Sequence, residues 1–419
     1  MRSWGLGKIG LRETTIYSID FTNRFIPGKF LKLLMIERSF KPLLASRLTE
    51  TSPLIQVLVG PRQVGKTTAI RQILDRRGLY FTADSPVPLD SQEIERLWEQ
   101  VSGMHDPVLA IDEIQKIRGW SETVKKLWDT KSKPIRLLLS GSAAISIEKD
   151  LRESLAGRYE LIRVEHWNFS EAHRAFALTI DEFLEFGCYP GSIPFIKDRE
   201  RWSSYIKDSI VEPAIGRDIL QLHPIENPAL LRQLFSVCVG HPSQVISLNK
   251  LQGQLQDRGA LSTLQNYLDL LGLGFLVSGI QKYSQNAIRT RQSPAKLIVH
   301  DNALIRAFER PVGSRPKPAR FGFYLENAVA ARFIEAGWDT FYWKDRDLEV
   351  DLVVLGPHGE KWAIEVKMSS PSDQELRGLT QFCRRHPEFE PCLVCYQACS
   401  KSDIRILELD TILSLHRWR

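Results

Sequence analysis

The chain has 419 residues, of which 43% are hydrophobic and 25% charged, and a net charge of +6. This composition is ordinary for a globular protein and excludes fibrous and low-complexity classes, while the length predicts two or three domains. No apolar run approaches the roughly 20 residues of a membrane-spanning helix, so no membrane partner is expected. Six cysteines in so long a chain exclude a disulfide framework and, without a signal peptide, predict a cytoplasmic location.

The first 34 residues show no clean periodicity. A helical spacing of apolar residues begins only after Met35, at Phe40. We therefore expect residues 1–34 to be a poorly ordered extension, with Met35 as an alternative start to Met1.

The stretch Val57–Thr68 organises the chain, because it reads as an apolar strand, a glycine-bounded loop and a helix start. Its spacing fits the phosphate-binding loop G-x-x-x-x-G-K-[ST], in which the glycines let backbone amides point at phosphate oxygens. Lys66 is expected to reach the β- and γ-phosphates of ATP, and Thr67 to ligate Mg²⁺. The alternative is a glycine-rich turn without a ligand. The predicted nucleotide-binding residues are Gly60, Pro61, Arg62, Gln63, Val64, Gly65, Lys66, Thr67 and Thr68.

Two acids follow the apolar run Val108–Ile111, which is typical of a buried parallel strand that delivers carboxylates to its carboxyl end. Asp112 is predicted to hold Mg²⁺ and Glu113 to polarise the attacking water. The alternative is an acidic helix cap.

A second buried strand ends in Ser140-Gly141-Ser142. Ser140 is our first candidate for sensing the γ-phosphate and Ser142 our second, against a plain strand-to-turn sequence. Arg158 fits two roles equally well: an arginine finger that stabilises the transferring phosphoryl group, or a salt-bridged surface residue.

These motifs together resemble a family of prokaryotic AAA-type ATPases that carry a C-terminal domain of unknown function. The residues that carry the resemblance are Gly60–Thr68, Ile111–Lys116, the strand ending at Ser142, and Leu155–Arg158. The resemblance covers about residues 35–400 and implies ATP binding and an ASCE-type sheet, but no substrate. The pair Arg217-Asp218 also falls where the family often has it, and we favour an interdomain ion pair over a contact to nucleotide in a neighbouring subunit.

The middle of the chain predicts a winged helix-turn-helix. Its helices are expected at Leu230–Cys238, Ser247–Leu255 and Leu261–Leu271, followed by a β-wing. The third helix has no Arg or Lys on its polar face, which weakens base readout. The cations of the wing are candidates for phosphate contacts: Lys282, Arg289, Arg291 and Lys296. The alternative is a module that only packs domains together or dimerises.

A predicted hairpin near the C-terminus brings two acids together. The strands Leu348–Leu355 and Lys361–Lys367 flank a turn centred near His358, which pairs Asp351 with Glu365. Carboxylates about 5 Å apart repel unless a cation lies between them, and Mg²⁺ suits hard oxygen ligands. Lys367 projects to the same side.

Asp351, Glu365 and Lys367, with Glu326 from an upstream helix, resemble the PD-(D/E)xK nuclease superfamily, and Gln381 is a further candidate. The resemblance implies metal-dependent cutting of DNA or RNA with a second Mg²⁺ at Asp351 and Glu365. The alternatives are a hairpin of surface charges or a nuclease-like fold that does not cut. We expect Cys392 and Cys395 to be buried core thiols rather than metal ligands.

The predicted fold is α/β: a P-loop NTPase sheet, then a helical and winged-helix region, then a restriction-endonuclease-like domain. The predicted segments are 35–165 for the ATPase, 166–227 for a helical lid, 228–309 for the winged helix and 321–419 for the nuclease-like domain. The leading hypothesis is an ATPase, alone or as a homo-oligomer, that is coupled to a module acting on nucleic acid. Its rivals are an ATP-gated protein-interaction switch with a dead nuclease fold and a winged-helix DNA-binding regulator.

Overall fold

A computed structural model describes most of the chain after residue 35. The described residues are 36–51, 53–74, 78–131, 135–142, 144–220, 225–256, 259–284, 293–309, 318–401 and 403–417. The predictions about residues 1–34 and about Met35 lie outside them. The described part forms one compact unit.

The first half contains a five-stranded parallel sheet. Its strands are β1 Ile55–Val59, β2 Gly78–Thr82, β3 Val108–Asp112, β4 Arg136–Gly141 and β5 Tyr159–Arg163. The helices around it are α1 Lys41–Arg47, α2 Lys66–Leu74, α3 Ser91–Ser102, α4 Trp120–Thr130 and α5 Ala144–Ser154. The strand order is β2-β3-β4-β1-β5, so β4 lies between the P-loop strand and the strand that ends in Asp112. The predicted α/β P-loop fold is therefore confirmed.

The central strands β1, β3 and β4 are buried on both faces, as expected for parallel strands that carry continuous apolar runs. Leu58 packs in a core with α2, whereas its neighbours Val57 and Val59 pack in a second core with α3, α4 and α5. The carboxyl ends of β1, β3 and β4 consequently meet at one edge of the sheet, where the predicted nucleotide site lies.

A helical region follows the sheet. It consists of α6 Phe169–Phe176, α7 Ile180–Phe186, a 3₁₀ segment Pro190–Phe195, α8 Arg199–Tyr205 and the π-helical segments Ile206–Val211 and Ala214–Ile219. Asn168 caps α6: its side chain accepts a hydrogen bond from the Glu171 amide, and the Asn168 amide donates to the Glu171 carboxylate. This reciprocal pair is a capping box.

The second half is built on an eight-stranded sheet. Its strands are β6 Val245–Ile246, β7 Val277–Lys282, β8 Ala295–Val299, β9 Asp339–Asp345, β10 Leu348–Leu355, β11 Lys361–Lys367, β12 Glu390–Cys395 and β13 Arg405–Ile406. The helices are α9 Pro228–Gly240, α10 Leu248–Gln252, α11 Leu261–Leu273, α12 Asn302–Phe308, α13 Pro318–Glu335, α14 Arg377–Arg385 and α15 Leu409–Leu413. The helices α9, α10 and α11 lie at the three helix positions predicted for the winged helix, and β7 and β8 lie where its wing is predicted. The winged-helix assignment itself stays a prediction.

The wing and the C-terminal strands belong to one sheet, in the order β13-β12-β11-β10-β9-β7-β8-β6. They join where β7 pairs in parallel with β9, at Gln281 with Phe341. One apolar core also includes Leu58 of β1 and Leu352 of β10. The segments predicted as separate domains therefore share a sheet and a core.

No helix in the described ranges is both long and apolar enough to cross a membrane.

Candidate functional sites

The loop between β1 and α2 has the backbone that a phosphate-binding loop requires. Gly65 has a φ of +96°, a conformation that only glycine adopts without strain. A Cβ on Gly60 would lie 2.4 Å from the carbonyl oxygen of Val164, so the residue that follows β5 packs directly against the loop. The two glycines of the motif are thus explained by the backbone alone, one by its dihedral angle and the other by its close neighbour.

Lys66 is buried and points into this loop. Its ammonium donates to the carbonyl oxygens of Gly60 at 2.7 Å and Pro61 at 2.6 Å. Burial lowers the pKa of Lys66, and the nearby Glu113 and Asp112 carboxylates oppose that effect. The ammonium therefore lies inside the loop, where its hydrogen-bond partners are neutral carbonyl groups.

Asp112 accepts hydrogen bonds from three hydroxyl groups. Thr67 Oγ1 lies 2.6 Å and the Tyr80 hydroxyl 3.0 Å from Asp112 Oδ2, and Ser140 Oγ lies 2.6 Å from Oδ1. Burial and Asp112 raise the pKa of Tyr80 to about 12, which keeps this donor protonated. Thr67 and Asp112 are hard oxygen ligands in contact, and this donor set fits Mg²⁺.

Ser140 faces Asp112 because the two residues are paired in the register of β3 and β4. In this arrangement the Ser140 hydroxyl fixes the orientation of the Asp112 carboxylate. The roles of Asp112 as a metal ligand and of Ser140 as a γ-phosphate sensor stay predictions. Ser142, the second candidate, lies between two carboxylates: its hydroxyl is 3.2 Å from Asp218 Oδ1 and 3.4 Å from Glu113 Oε2.

Glu113 is held at the end of β3 in a left-handed backbone conformation, with φ +57°. Gln115 Nε2 donates to Glu113 Oε2 at 2.6 Å. A Cβ on Gly141 would lie 2.2 Å from the Gln115 side-chain oxygen, so this glycine makes room for the amide. Gln115 is a positioning residue that sequence reasoning missed, although it lies two residues from Glu113.

The helical region contacts the P-loop at two points. Arg62 makes a two-pronged ion pair with Asp218, at 2.7 and 2.6 Å, and the Tyr205 hydroxyl donates to Gln63 Oε1 at 2.6 Å. The predicted interdomain ion pair is thus confirmed for Asp218. The partner of Asp218 is Arg62, a residue of the P-loop itself, so this ion pair joins the loop directly to the helical region.

Arg158 does not lie at this site. Its guanidinium pairs with Asp129 at 2.7 and 2.9 Å, and its carbonyl accepts from Ile55 at the start of β1. The P-loop follows the other end of β1. The structure therefore favours the surface salt bridge with Asp129, and the arginine-finger role stays a prediction.

Arg38 and Trp167, which belong to none of the sequence motifs, form hydrogen bonds to the backbone of the P-loop. Arg38 donates to the carbonyl oxygen of Val64 in the loop and to that of Glu165, and Trp167 Nε1 also donates to Val64 O, at 3.1 Å. Arg38 is buried and pairs with Glu171. These contacts connect the loop to the segment after β5.

The C-terminal hairpin has the predicted register. Leu352 pairs with Ile364 and Val353 with Ala363, which centres the hairpin on residue 358. The Val366 amide donates to Asp351 Oδ2 at 2.9 Å, and Lys367 Nζ lies 2.5 Å from Glu365 Oε2 and 3.5 Å from Asp351 Oδ2. The predicted acids and the lysine therefore converge.

Glu326 joins them from the middle of α13, and we call Glu326, Asp351 and Glu365 the acid cluster. Burial raises the pKa of Glu326 to about 7. Burial and Asp351 raise the pKa of Glu365 far above its usual range. For Asp351, burial acts in the same direction, but Lys296 and Lys367 outweigh it and lower the pKa. Gln381 is half-buried on α14, and its role stays a prediction.

Lys296 corrects the prediction for the wing. It is 1% exposed, so it is not available to a phosphate backbone. Its ammonium lies 2.5 Å from Glu326 Oε1 and 3.2 Å from the carbonyl oxygen of Asp351. Sequence reasoning treated the wing as a surface and missed that β8 continues the sheet of the acid cluster. Arg289 and Arg291 lie outside the described residues, and Lys282 is half-buried.

A buried network links three parts of the chain. Glu335 Oε1 lies 3.1 Å from His166 Nδ1 and 2.6 Å from His300 Nδ1, and the other ring nitrogens contact Tyr189 and Ser278. Burial would raise the pKa of Glu335, but the two histidines more than offset it and hold the pKa well below the usual range. Since every ring nitrogen has a hydrogen-bond partner, the network is satisfied without a metal ion.

The cysteines behave as predicted for the core strand: Cys392 and Cys395 are buried, and both are free thiols. Burial raises the pKa of each to about 12, which disfavours the thiolate form that metal ligation needs.

Three sequence families match successive parts of the chain. A family described as "AAA domain" matches residues 52–173. Two families described as domains of unknown function, DUF8612 and DUF4143, match residues 178–312 and 321–418.

The chain is also similar to whole proteins. It is 26% identical over 356 residues to the uncharacterized protein Rv2008c of Mycobacterium tuberculosis, which covers 82% of this chain and 77% of that protein. It is 24% identical over 372 residues to the uncharacterized protein MJ1637 of Methanocaldococcus jannaschii, with 76% of each chain covered. Neither name states an activity.

Among solved structures, the chain is similar to the Walker-type ATPase PABY2304 of Pyrococcus abyssi. The identity is 15%, the TM-score is 0.44, and the match covers 65% of this chain and 96% of the other. A likeness this distant says nothing of activity. The family match, the strand order and the loop geometry together identify the first part of the chain as an AAA-type P-loop ATPase domain.

Proposed function

We propose that the chain hydrolyses ATP and that its nucleotide state acts on the acid cluster of the C-terminal sheet. The observation that carries the first half is the contact of Thr67 with Asp112 beside Glu113, at the mouth of the P-loop. Amide donors, a lysine, metal-binding oxygens and a carboxylate base meet there.

The roles of the residues follow from this geometry. The amides of the loop and Lys66 would bind the phosphates, and Thr67 and Asp112 would hold the accompanying Mg²⁺. When bound, the ion neutralises charge that develops on the phosphate oxygens. Glu113 takes the proton of the attacking water, and Gln115 keeps that carboxylate in place.

Glu113→Gln tests this assignment. The amide has the same size but is a poor base, so turnover should fall about 10²- to 10⁴-fold. Nucleotide affinity should stay within a few-fold of wild type, because Glu113 does not contact the loop amides. Turnover close to wild type in this variant would remove Glu113 from the proposed mechanism.

One helix provides the proposed coupling. On α13, Arg332 pairs with Glu165 at 2.5 Å and Glu335 accepts from the His166 amide at 2.9 Å, next to the segment that supports the P-loop through Arg38. Glu326 of the acid cluster lies nine residues earlier on α13, about 13 Å along its axis. A displacement of the segment after β5 would therefore be transmitted to the acid cluster.

For the C-terminal site we propose a nuclease-like role on nucleic acid, with Mg²⁺ on Asp351 and Glu365 and with Lys367 orienting the water. The support is the convergence of these residues on adjacent strands. Incubation of the protein with DNA and RNA in Mg²⁺ or Mn²⁺, with and without ATP, tests it. Cutting that Asp351→Asn abolishes while ATP turnover persists is the expected result. No cutting under any of these conditions would contradict it.

A second candidate is a protein-interaction switch with a nuclease-like fold that does not cut. The specific observation in its favour is the Lys296 ammonium among the acids. It predicts ATP turnover without metal-dependent cutting.

A further inference from the structure

We propose that Lys296 is the resident cation of the acid cluster and that its ammonium excludes a divalent metal ion while it lies there. This inference concerns the regulation of the nuclease-like site and rests on the function proposed for that site. It makes metal binding conditional on withdrawal of one lysine.

The ammonium is enclosed by oxygen atoms. Besides Glu326 at 2.5 Å and the Asp351 carbonyl at 3.2 Å, Glu349 Oε1 lies at 3.5 Å and Asp351 Oδ1 at 3.9 Å. Lys296 is 1% exposed, whereas such a side chain is almost never fully buried unless it is paired. The cluster therefore supplies the compensation that burial of this charge requires.

A metal ion would need some of the same atoms. Mg²⁺ binds carboxylate oxygens at about 2.1 Å and accepts little distortion. Asp351 already faces Lys296 through one oxygen and Lys367 through the other. A divalent ion bound to Asp351 would lie beside the ammonium groups of both Lys296 and Lys367. To reach an Asp351 oxygen, the ion would have to displace one of these two ammonium groups.

The lysine comes from outside the hairpin that forms the cluster. Lys296 lies on β8, where it pairs with Ile280 of β7, and β7 in turn pairs with β9. Its position in the cluster therefore depends on the junction between the wing strands and the C-terminal strands. Movement at that junction, rather than at the hairpin, would expose the acids.

Mn²⁺ titration of the full chain, followed by the electron paramagnetic resonance signal of free Mn²⁺, tests the proposal. All variants carry Asp112→Asn, because this substitution removes the predicted metal ligand of the P-loop and so leaves the acid cluster as the site under test. In this background Lys296→Met should create one Mn²⁺ site, with an affinity about a hundredfold or more above that of the background chain. Adding Asp351→Asn should abolish this site, and Lys296→Arg, which keeps the charge, should not create it.

Two results would overturn the proposal. One is an Mn²⁺ site in the Asp112→Asn chain, with Lys296 still present, that is lost when Asp351→Asn is added. The other is a folded Lys296→Met chain, verified by circular dichroism, that gains no Mn²⁺. Neither readout involves ATP turnover or cutting, so failure here is distinguishable from failure of the proposed function.

Discussion

The two candidate sites differ in how their charges are compensated. At the P-loop, Lys66 bonds to neutral carbonyl groups and Asp112 to neutral hydroxyl groups. In the acid cluster, Asp351 and its neighbours are already paired with the ammonium groups of Lys296 and Lys367. The first site retains charges that a nucleotide and its metal ion would compensate, whereas the second compensates its own. The two sites contain similar residue types, and they differ in whether their charged groups are bonded to neutral groups or to charges of opposite sign.

The largest effect should come from Lys66→Ala, which removes the cation of the P-loop. We expect ATP turnover to fall about 10²- to 10³-fold, as when one preorganised donor to a developing charge is removed. The measurement is phosphate release at saturating ATP. Lys367→Ala is the matched control, because it removes a lysine from the other site and should leave turnover near wild type. Equal losses in both variants would contradict the distinction between the sites.

Glu335→Gln tests the proposed coupling between the two sites. It leaves His166 and His300 without an ionised acceptor, and removal of one partner from a buried pair should cost about 3 kcal/mol of unfolding free energy at pH 7. Urea unfolding of both proteins measures this cost. A loss well below about 1 kcal/mol would show that the network does not join the parts of the chain.

The difference in unfolding free energy between wild type and Glu335→Gln should depend on pH. Because the pKa of Glu335 is lower in the folded chain than in the unfolded one, its contribution is present above the ordinary glutamate pKa of about 4.3. The contribution is lost as pH falls from there through the folded pKa. The difference in stability between wild type and Glu335→Gln should therefore shrink as the pH falls below about 4. A difference that grows on acidification would reverse the assignment.

Asp218→Asn sharpens the view of the P-loop. It removes the carboxylate charge that pairs with Arg62, which leaves this P-loop guanidinium with only the weaker compensation of Glu113 and Asp84. We expect nucleotide to bind about fivefold more tightly, equivalent to about 1 kcal/mol. Fluorescent-nucleotide titration measures this change. The double variant with Arg62→Gln should lose the gain, and unchanged or weaker binding in Asp218→Asn would refute the explanation.

The smallest effect should come from Arg158→Ala. Its exposed pair with Asp129 lies away from the P-loop, so turnover should change by less than about twofold. A loss of tenfold or more at protein concentrations that favour assembly would instead indicate that Arg158 acts on the nucleotide of a neighbouring chain.

Sequence reasoning worked where the relevant contacts are local or set by a regular repeat. The spacing of Gly60 and Gly65 predicted the loop, and the centre of the hairpin at residue 358 predicted the pairing near Asp351. It failed where the contact is distant in the chain. Lys296 reaches Asp351 across 55 residues, and His166 reaches Glu335 across 169. Such contacts depend on how the wing strands join the C-terminal sheet, which no local pattern encodes.

The most direct measurement of the contrast between the sites is the number of Mn²⁺ ions bound per chain in the presence of a non-hydrolysable ATP analogue. We expect one bound ion, which Asp112→Asn abolishes and Asp351→Asn leaves unchanged. Retention of the ion in Asp112→Asn together with its loss in Asp351→Asn would contradict the proposed difference between the two sites.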